Sequence, residues 1–153
     1  MKKTRIECHI FSKKPIPTVK AMALCEKLFK LFSQNKIIKK AKPHSKEQPY
    51  LSLVFLDTLA ARKLNKKFRQ KDYATDILSF ASEEKGMGLG ELVFCEPVLR
   101  RQAKEHRLSF KQEMDYLLIH GFLHLLGYDH EKSRKDEVKM MRLQDKLFKR
   151  LSK

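Results

Sequence analysis

The sequence predicts an α+β fold in which a small mixed four-stranded sheet carries about five helices. Three observations lead to this class. Short segments that alternate polar and apolar residues, typical of half-buried strands, are interspersed with longer segments whose apolar residues recur every three or four positions, typical of helices. Glycines and prolines separate many of these segments. The length of 153 residues and the apolar content of 42% fit one globular domain, which we assign to residues 1–153.

The first half of the chain predicts two strand–helix pairs. Alternation over 6–10 indicates the first strand, and Thr18 is expected to cap the helix that follows. The apolar face of this helix is formed by Ala21, Leu24, Leu28, Leu31 and Phe32. Residues 35–46 contain five lysines and are expected to form an exposed basic connection. Alternation over 51–55 predicts the second strand, and the next helix, starting at Asp57 or Thr58, has its apolar residues at Ala60, Leu64 and Phe68.

The second half predicts a hairpin and three helices. A third strand over 75–80 and a fourth over 90–95 are separated by a glycine-rich turn, which favours antiparallel pairing. Pro97 fits the first turn of the next helix. Ser109 and Gln112 form a capping-box pattern at the start of the following helix, whose core stripe is Phe110, Met114, Leu118, Phe122 and Leu125. Ser133 is expected to cap a last helix with its apolar side at Met140, Leu143, Leu147 and Leu151.

Three histidines near the end of the chain have the spacing of a metal site. His120 and His124 are four residues apart, so on a helix their rings lie on one face. Gly127 can adopt the left-handed conformation that ends a helix, which would return His130 to the other two rings. Three neutral imidazoles suit one Zn²⁺ ion and leave a fourth coordination position open, as in catalytic sites. We therefore predict one zinc ion on the central helix and the turn after it.

The same spacing resembles the metzincin protease pattern H-E-x-x-H-x-x-G-x-x-H, and the predicted site is zincin-like. The glutamate that acts as the general base in those proteases is replaced here by Gly121. The ligand pattern is retained without that base, which argues against ordinary peptide hydrolysis.

The charge of the chain favours a polyanionic partner. Thirty-four Lys and Arg residues against 18 Asp and Glu residues give a net charge of +16, for which nucleic acid is the first expectation and an anionic membrane surface the second. Neither a secretory signal nor an apolar run long enough to span a membrane is recognisable, so we expect a cytoplasmic protein without a membrane role. The three cysteines form no C-x-x-C pair and are expected to be reduced.

Two further segments resemble a known family when they are taken with the histidine motif. Residues 64–80 read L-N-K-K-F-R-Q-K-D-Y-A-T-D-I-L-S-F, and residues 90–94 read G-E-L-V-F. In order and spacing, these segments and H-G-F-L-H-L-L-G-Y-D-H resemble the bacterial YbeY family of rRNA-maturation endoribonucleases, over roughly 51–143. Two departures are mild: Ala81 stands where the family usually has proline, and Glu91 where aspartate is common.

The resemblance implies a zinc-dependent, single-strand-preferring endoribonuclease. It implies a role in ribosomal RNA maturation at the 3′ end of the small-subunit rRNA and in ribosome quality control. The partners would be RNA, specifically ribosomal RNA and the small ribosomal subunit, with no DNA expected. By motif, His120, His124 and His130 are the zinc ligands and Arg69 is the functional arginine.

The roles of the remaining polar residues are open. We hypothesise that Arg69, assisted by Lys71, clamps the scissile phosphate, because a guanidinium matches phosphate oxygens in bidentate fashion. Asp129 either orients a metal-bound imidazole or caps the turn. Asp76 and Tyr128 are weaker candidates for the general base, and a mechanism without a protein base is also possible.

Two other functions are compatible with parts of the sequence. A non-catalytic ribosome assembly factor with a structural zinc would need the same basic surface and the same histidines. A metzincin-like metalloprotease is less compatible, because of Gly121 and the net charge of +16.

Overall fold

The computed structural model describes residues 4–34, 50–83 and 88–153. Within these ranges the elements are β1 (Arg5–Ile10), α1 (Thr18–Gln34), β2 (Tyr50–Leu56), α2 (Thr58–Arg69), β3 (Ile77–Ala81), β4 (Gly90–Cys95), α3 (Glu96–Glu105), α4 (Phe110–Leu125) and α5 (Arg134–Leu151). Four strands and five helices confirm the predicted α+β class. The basic connection expected over 35–46 and the centre of the turn before β4 lie outside the described residues.

The four strands form one mixed sheet in the order β1-β2-β4-β3. β1 is parallel to β2 and β2 is parallel to β4, so that Leu53 lies between Cys8 and Leu92. β3 runs antiparallel to β4, which confirms the predicted pairing across the glycine-rich turn. β1 and β3 are therefore the two edge strands of the described sheet.

The two faces of the sheet are covered by different helices. Alternate residues of β2 and β4, among them Leu53, Phe55 and Leu92, join the main core with α1 and α4. On the other face, Cys95 packs in a smaller cluster with Ala61 of α2 and Val98 of α3. The sheet thus separates α2 from α4.

α4 is the central helix of the fold. Met114, Leu118, Phe122 and Leu125 of the predicted stripe are buried, whereas Phe110 is half-buried. Leu117, Ile119 and Leu123 are buried as well, so apolar contacts enclose the helix on almost every side. The ring of Phe122 packs against Phe29 and Phe32 of α1, with centroid distances of 5.1 and 5.8 Å.

The helix caps agree with those predicted from the sequence, with one exception. The Ser109 hydroxyl accepts a hydrogen bond from Gln112 N at 3.1 Å and the Gln112 side chain accepts one from Ser109 N at 2.9 Å, which completes the predicted capping box. Ser133 caps α5 through Asp136 N at 3.1 Å. Thr18 is the first residue of α1 rather than its predicted cap, because Pro17 precedes it and accepts the first helical hydrogen bond, from Ala21 N.

The apolar residues at i, i+4 spacing in α2 do not form its buried side. Ala60 and Leu64 are half-buried and Phe68 is 55% exposed, whereas the buried residues of the helix are Ala61 and Asn65. The small Ala61 fits closely against α3, and the Asn65 amide donates a hydrogen bond to the carbonyl of Tyr73 at 2.8 Å. The helix is therefore oriented by a small residue and a polar contact instead of by its largest apolar side chains.

Two further predictions concern the cysteines and membrane-spanning helices. Cys8, Cys25 and Cys95 are free thiols, as the sequence predicts. Among the helices of the described ranges, none is long and apolar enough to cross a membrane.

Candidate metal centre

The three predicted histidines converge. One ring nitrogen from each of His120, His124 and His130 lies within 4.8 Å of the others, and the three rings are half-buried. The ring centroids are 4.6 Å apart for His120 and His124, 5.4 Å for His120 and His130, and 4.9 Å for His124 and His130. Among the described residues, this is the group of three whose side chains could hold a metal ion together.

The turn that returns the third histidine depends on Gly127. α4 ends at Leu125, and Gly127 adopts a φ of +95°, a region that residues with a Cβ rarely occupy. Its N–H donates to His124 O at 3.0 Å, and Tyr128 N donates to Leu123 O at 3.1 Å. These bonds satisfy the last carbonyls of the helix and reverse the chain toward His130.

Asp129 caps the turn, which is one of the two roles predicted for it. Its Oδ1 accepts a hydrogen bond from Glu131 N at 2.8 Å, which closes the bend around His130. This contact fixes the backbone that carries the third histidine. Burial has the largest effect on the pKa of His124 and lowers it, whereas the charge of Asp129 acts in the opposite direction.

The donor set fits zinc. Zn–N bonds of about 2.0–2.1 Å in a tetrahedral arrangement place two ligand nitrogens about 3.3–3.4 Å apart. Nε2 of His120 and Nε2 of His124 are 3.1 Å apart, close to this value. Nδ1 of His130 is buried without a hydrogen-bond partner among the described residues, and an unpaired buried nitrogen of this kind calls for a ligand or an ion.

Gln144 of α5 orients the first histidine. Nδ1 of His120 lies 3.0 Å from Gln144 Oε1, so this nitrogen carries the hydrogen and donates it, leaving the lone pair on Nε2 for a metal. The Gln144 amide in turn donates to the carbonyl of Tyr116 at 3.4 Å. Gln144 is not among the site residues predicted from the sequence. The available signal was a buried-face position, between Met140 and Leu147, that is occupied by a polar residue.

The environment of the rings favours the neutral imidazoles that bind metal. Burial lowers the pKa of His120, and hydrogen bonding to Gln144 only partly opposes this effect. Burial also lowers the pKa of His124, and the neighbouring His120 and His130 add to the shift. Protons therefore compete weakly for these nitrogens near neutral pH.

A pocket of about 340 Å³ opens beside His120 and His130. Its apolar lining comes from Ile77, Leu117, Met140 and Met141. Asp76, at the start of β3, also lines it, and its Oδ1 accepts a hydrogen bond from Ile77 N at 2.7 Å. Burial has the largest effect on the pKa of His120 and lowers it, and the charge of Asp76 acts weakly in the opposite direction.

At the far end of the pocket, His106 pairs with Glu113. His106 Nδ1 lies 2.8 Å from Glu113 Oε2, and the carboxylate raises the pKa of the exposed imidazole. Glu113 is seven residues before His120 on α4, about 10 Å along the helix axis. The pair therefore lies outside the coordination sphere of a metal bound by the three histidines.

Gly121 has a packing role that sequence reasoning did not identify. A Cβ at this position would lie 2.7 Å from both Ile77 Cδ1 and Leu92 Cδ2. A side chain at this position would face the sheet, and the ends of the Ile77 and Leu92 side chains would have to shift to make room for it. A glutamate at position 121 would therefore point toward the sheet.

Arg69 and Lys71 lie at the C-terminal end of α2. Both are exposed, and Gln70 between them adopts a left-handed φ of 57° that ends the helix. Neither residue lines the pocket beside the histidines. Arg69 follows Phe68 on the sheet face opposite α4, so its role at the metal stays a prediction.

Comparisons with known proteins agree with the resemblance of the motifs. The family model described as Endoribonuclease YbeY matches residues 11–152. A protein of Bdellovibrio bacteriovorus named Endoribonuclease YbeY is 55% identical over 67% of this chain and 68% of its own length. A protein of the same name from Persephonella marina is 42% identical over 64% of this chain and 67% of its own length.

The fold also resembles a solved structure. The solution structure of a Thermotoga maritima protein superposes with a TM-score of 0.60 at 27% identity, covering 95% of this chain and 88% of the other. The agreement therefore extends over most of both chains.

Proposed function

This chain belongs to the YbeY family of endoribonucleases, and we propose that it is a zinc-dependent enzyme that cuts single-stranded RNA. We further propose that it acts in the cytoplasm on ribosomal RNA, in maturation of the small-subunit 3′ end and in ribosome quality control. Residues 1–153 would act as one domain with the small ribosomal subunit as partner. The observation that carries this proposal is the convergence of His120, His124 and His130.

The three histidines would hold the zinc through one nitrogen each. When bound, such a zinc ion supplies an activated water molecule or polarises a phosphoryl oxygen. Gln144 keeps the proton of His120 on Nδ1, so that Nε2 faces the other rings. Gly127 and Asp129 fix the turn that carries the third ligand.

Arg69 and Lys71 would contact the RNA backbone. Both cations are exposed at one end of α2, and the last turn of that helix adds Lys66 and Lys67. Negative charge increases on the phosphate oxygens in the transition state, and a guanidinium can stabilise it with two parallel hydrogen bonds. The proposal for Arg69 rests on this chemistry and on its place in the family motif.

Asp76 is the acid that the geometry favours as a proton acceptor. It lines the pocket with His120, whereas Asp129 is not among the residues that line this pocket. A carboxylate there can accept a proton from an attacking water or from a ribose 2′-hydroxyl. The product ends distinguish the two: a 2′,3′-cyclic phosphate indicates internal attack, and a 3′-hydroxyl indicates attack by water.

The test compares wild type with His124→Ala, Arg69→Ala and Lys63→Ala on a labelled RNA, single-stranded or annealed. We expect the zinc-loaded wild type to cut the single strand preferentially and His124→Ala to lose both zinc and cleavage. Arg69→Ala should lose cleavage and keep its zinc, whereas Lys63→Ala, an exposed cation on the same helix, should resemble the wild type.

Contaminating nuclease is controlled by purifying every variant identically. Equal residual cleavage by the wild type, by His124→Ala and by metal-stripped protein would contradict the enzyme assignment. That result would favour an assembly factor in which zinc is structural.

A further inference from the structure

We propose that the end of α2 and the loop after it form a base-stacking surface for single-stranded RNA, centred on the rings of Phe68 and Tyr73. This inference rests on the proposed function, because it specifies how the enzyme holds its substrate. The stacking surface consists of Lys67, Phe68, Arg69, Lys71 and Tyr73.

Two aromatic rings are exposed within six residues of each other. Phe68 is 55% exposed and Tyr73 is 54% exposed. The helix cannot rotate to bury Phe68, because Ala61 and Asn65 already occupy its inner side. The ring of Phe68 is supported from beneath by Phe80 of β3, with centroids 5.1 Å apart and planes at 69°. The ring is thus held in place while more than half of its surface faces solvent.

The loop that carries Tyr73 is held by hydrogen bonds. The Asn65 amide donates to Tyr73 O at 2.8 Å, and Arg62 binds the Asp72 carboxylate with two nitrogens at 2.8 and 3.2 Å. Gln70 N donates to Lys66 O at 3.1 Å, closing the turn after the helix. A surface ordered before binding loses little conformational entropy when a ligand docks.

The charge around the rings identifies the ligand. Residues 58–75 contain six Lys and Arg residues and one acid, Asp72, which gives a net charge of +5. Asp72 is paired with Arg62 at 2.8 Å and with Lys66 at 3.7 Å. Within the described ranges, no ion pair engages Lys67, Arg69 or Lys71.

Interleaved rings and unpaired cations match a nucleic-acid single strand. Lys67 Nζ lies 5.3 Å from the centroid of the Phe68 ring, so an ammonium group is already beside the ring. Stacking on aromatic side chains and cations that follow the backbone are the two components of sequence-tolerant single-strand binding. An apolar protein partner would need to desolvate these cations, so the charge favours RNA as the occupant.

A short stretch of chain joins the surface to the metal pocket. Tyr73 is three residues before Asp76, a separation of at most about 11 Å along the chain, and Asp76 lines the pocket beside His120. β3, which begins directly after Asp76, is an edge strand of the described sheet. An RNA strand stacked on Phe68 and Tyr73 would pass around this edge to reach the histidines.

The test measures binding without cleavage. Metal-stripped wild type, Phe68→Leu, Tyr73→Leu and Phe11→Leu are titrated into a fluorescently labelled RNA 12-mer, and anisotropy gives the dissociation constant. Phe11→Leu is the matched control, since Phe11 is 66% exposed and follows β1 at the opposite edge of the sheet. We expect Phe68→Leu and Tyr73→Leu each to bind about 5- to 150-fold more weakly, and Phe11→Leu to bind like the wild type. Thermal melting checks that all four proteins are folded.

An abasic oligonucleotide of the same length separates stacking from other effects. It keeps the phosphates and removes the bases, so Phe68→Leu should weaken its binding little or not at all. Equal losses on the normal and abasic strands would overturn the proposal, as would equal losses for Phe68→Leu and Phe11→Leu or an absence of binding by the wild type. If the wild type binds as expected but the zinc-loaded protein does not cut, the proposed function fails while the stacking surface stands.

Discussion

Gly121 provides a direct test of how α4 is held against the sheet. A Cβ added there would lie 2.7 Å from Ile77 Cδ1 and Leu92 Cδ2, and 3.2 Å from Ser79 Oγ. Carbon atoms in contact rest about 3.5–4.0 Å apart, so Gly121→Ala requires each methyl group to withdraw by roughly 1 Å. Both methyl groups are the ends of buried side chains, and Ile77 also borders the pocket.

The expected loss of stability is the difference between two effects. Overpacking a close-packed core destabilises by about 1–3 kcal/mol. Alanine in a helix interior is about 1 kcal/mol more favourable than glycine. We therefore expect the free energy of unfolding of Gly121→Ala to fall by about 1 kcal/mol, which lowers the Tm by about 2–4 °C for a chain of this size.

The assay is urea unfolding of the metal-stripped protein, followed by circular dichroism, since bound zinc would add its own stabilisation. Ile77→Val removes one of the two clashing methyl groups and by itself costs about 0.5–1.5 kcal/mol. The double variant with Gly121→Ala should be more stable than the sum of the single changes predicts, by about 0.5 kcal/mol or more. Stabilisation by Gly121→Ala, or strict additivity with Ile77→Val, would refute the packing argument.

Three further predictions concern the metal site and its surroundings. Gln144→Leu removes the acceptor for His120 Nδ1, and we expect zinc affinity in a chelator competition to fall by about 10- to 100-fold. Gly127→Ala places a Cβ at φ +95°, and the free energy of unfolding in urea should fall by about 1–2 kcal/mol. In NMR titrations the pKa of His106 should lie above its ordinary value of 6.5, because of the Glu113 carboxylate, and Glu113→Gln should return it toward 6.5. The stability gained from this pair is full below pH 6.5 and is lost as the pH rises through the raised pKa of the folded state.

Each of these predictions has a control or a contrary outcome. Asp145→Ala changes an exposed neighbour of Gln144 on the same helix, and an equal loss of zinc affinity in both variants would contradict the orienting role of Gln144. An unchanged urea midpoint for Gly127→Ala would show that the turn tolerates a Cβ. A His106 pKa that stays raised in Glu113→Gln would assign the shift to Glu105, whose charge acts in the same direction.

The histidine site was predictable because its geometry is local. The four-residue spacing of His120 and His124 follows from the helical repeat, and the turn at Gly127 follows from a backbone conformation that glycine adopts readily. The strand alternation and the Ser109 capping box are equally local. These features need no knowledge of which elements meet in space.

Features that depend on contacts between distant elements were not predictable in the same way. The orientation of α2 is decided by Asn65 bonding to Tyr73 and by Ala61 fitting against α3, neither of which is visible in the periodicity of the helix. Gln144 reaches His120 across 24 residues of sequence. The packing role of Gly121 appears only once the sheet lies beneath α4.

The burial of α4 determines how a metal ion would bind and dissociate. In a zinc finger the ion supplies the free energy of folding, so losing it unfolds the domain. Here Met114, Leu118 and Phe122 secure the helix through buried apolar contacts that do not involve the histidines. Zinc exchange would therefore be a process of the native state, with rates set by passage through the pocket rather than by unfolding. Occupancy of the site would then follow the free zinc concentration around the protein, while the chain remains folded.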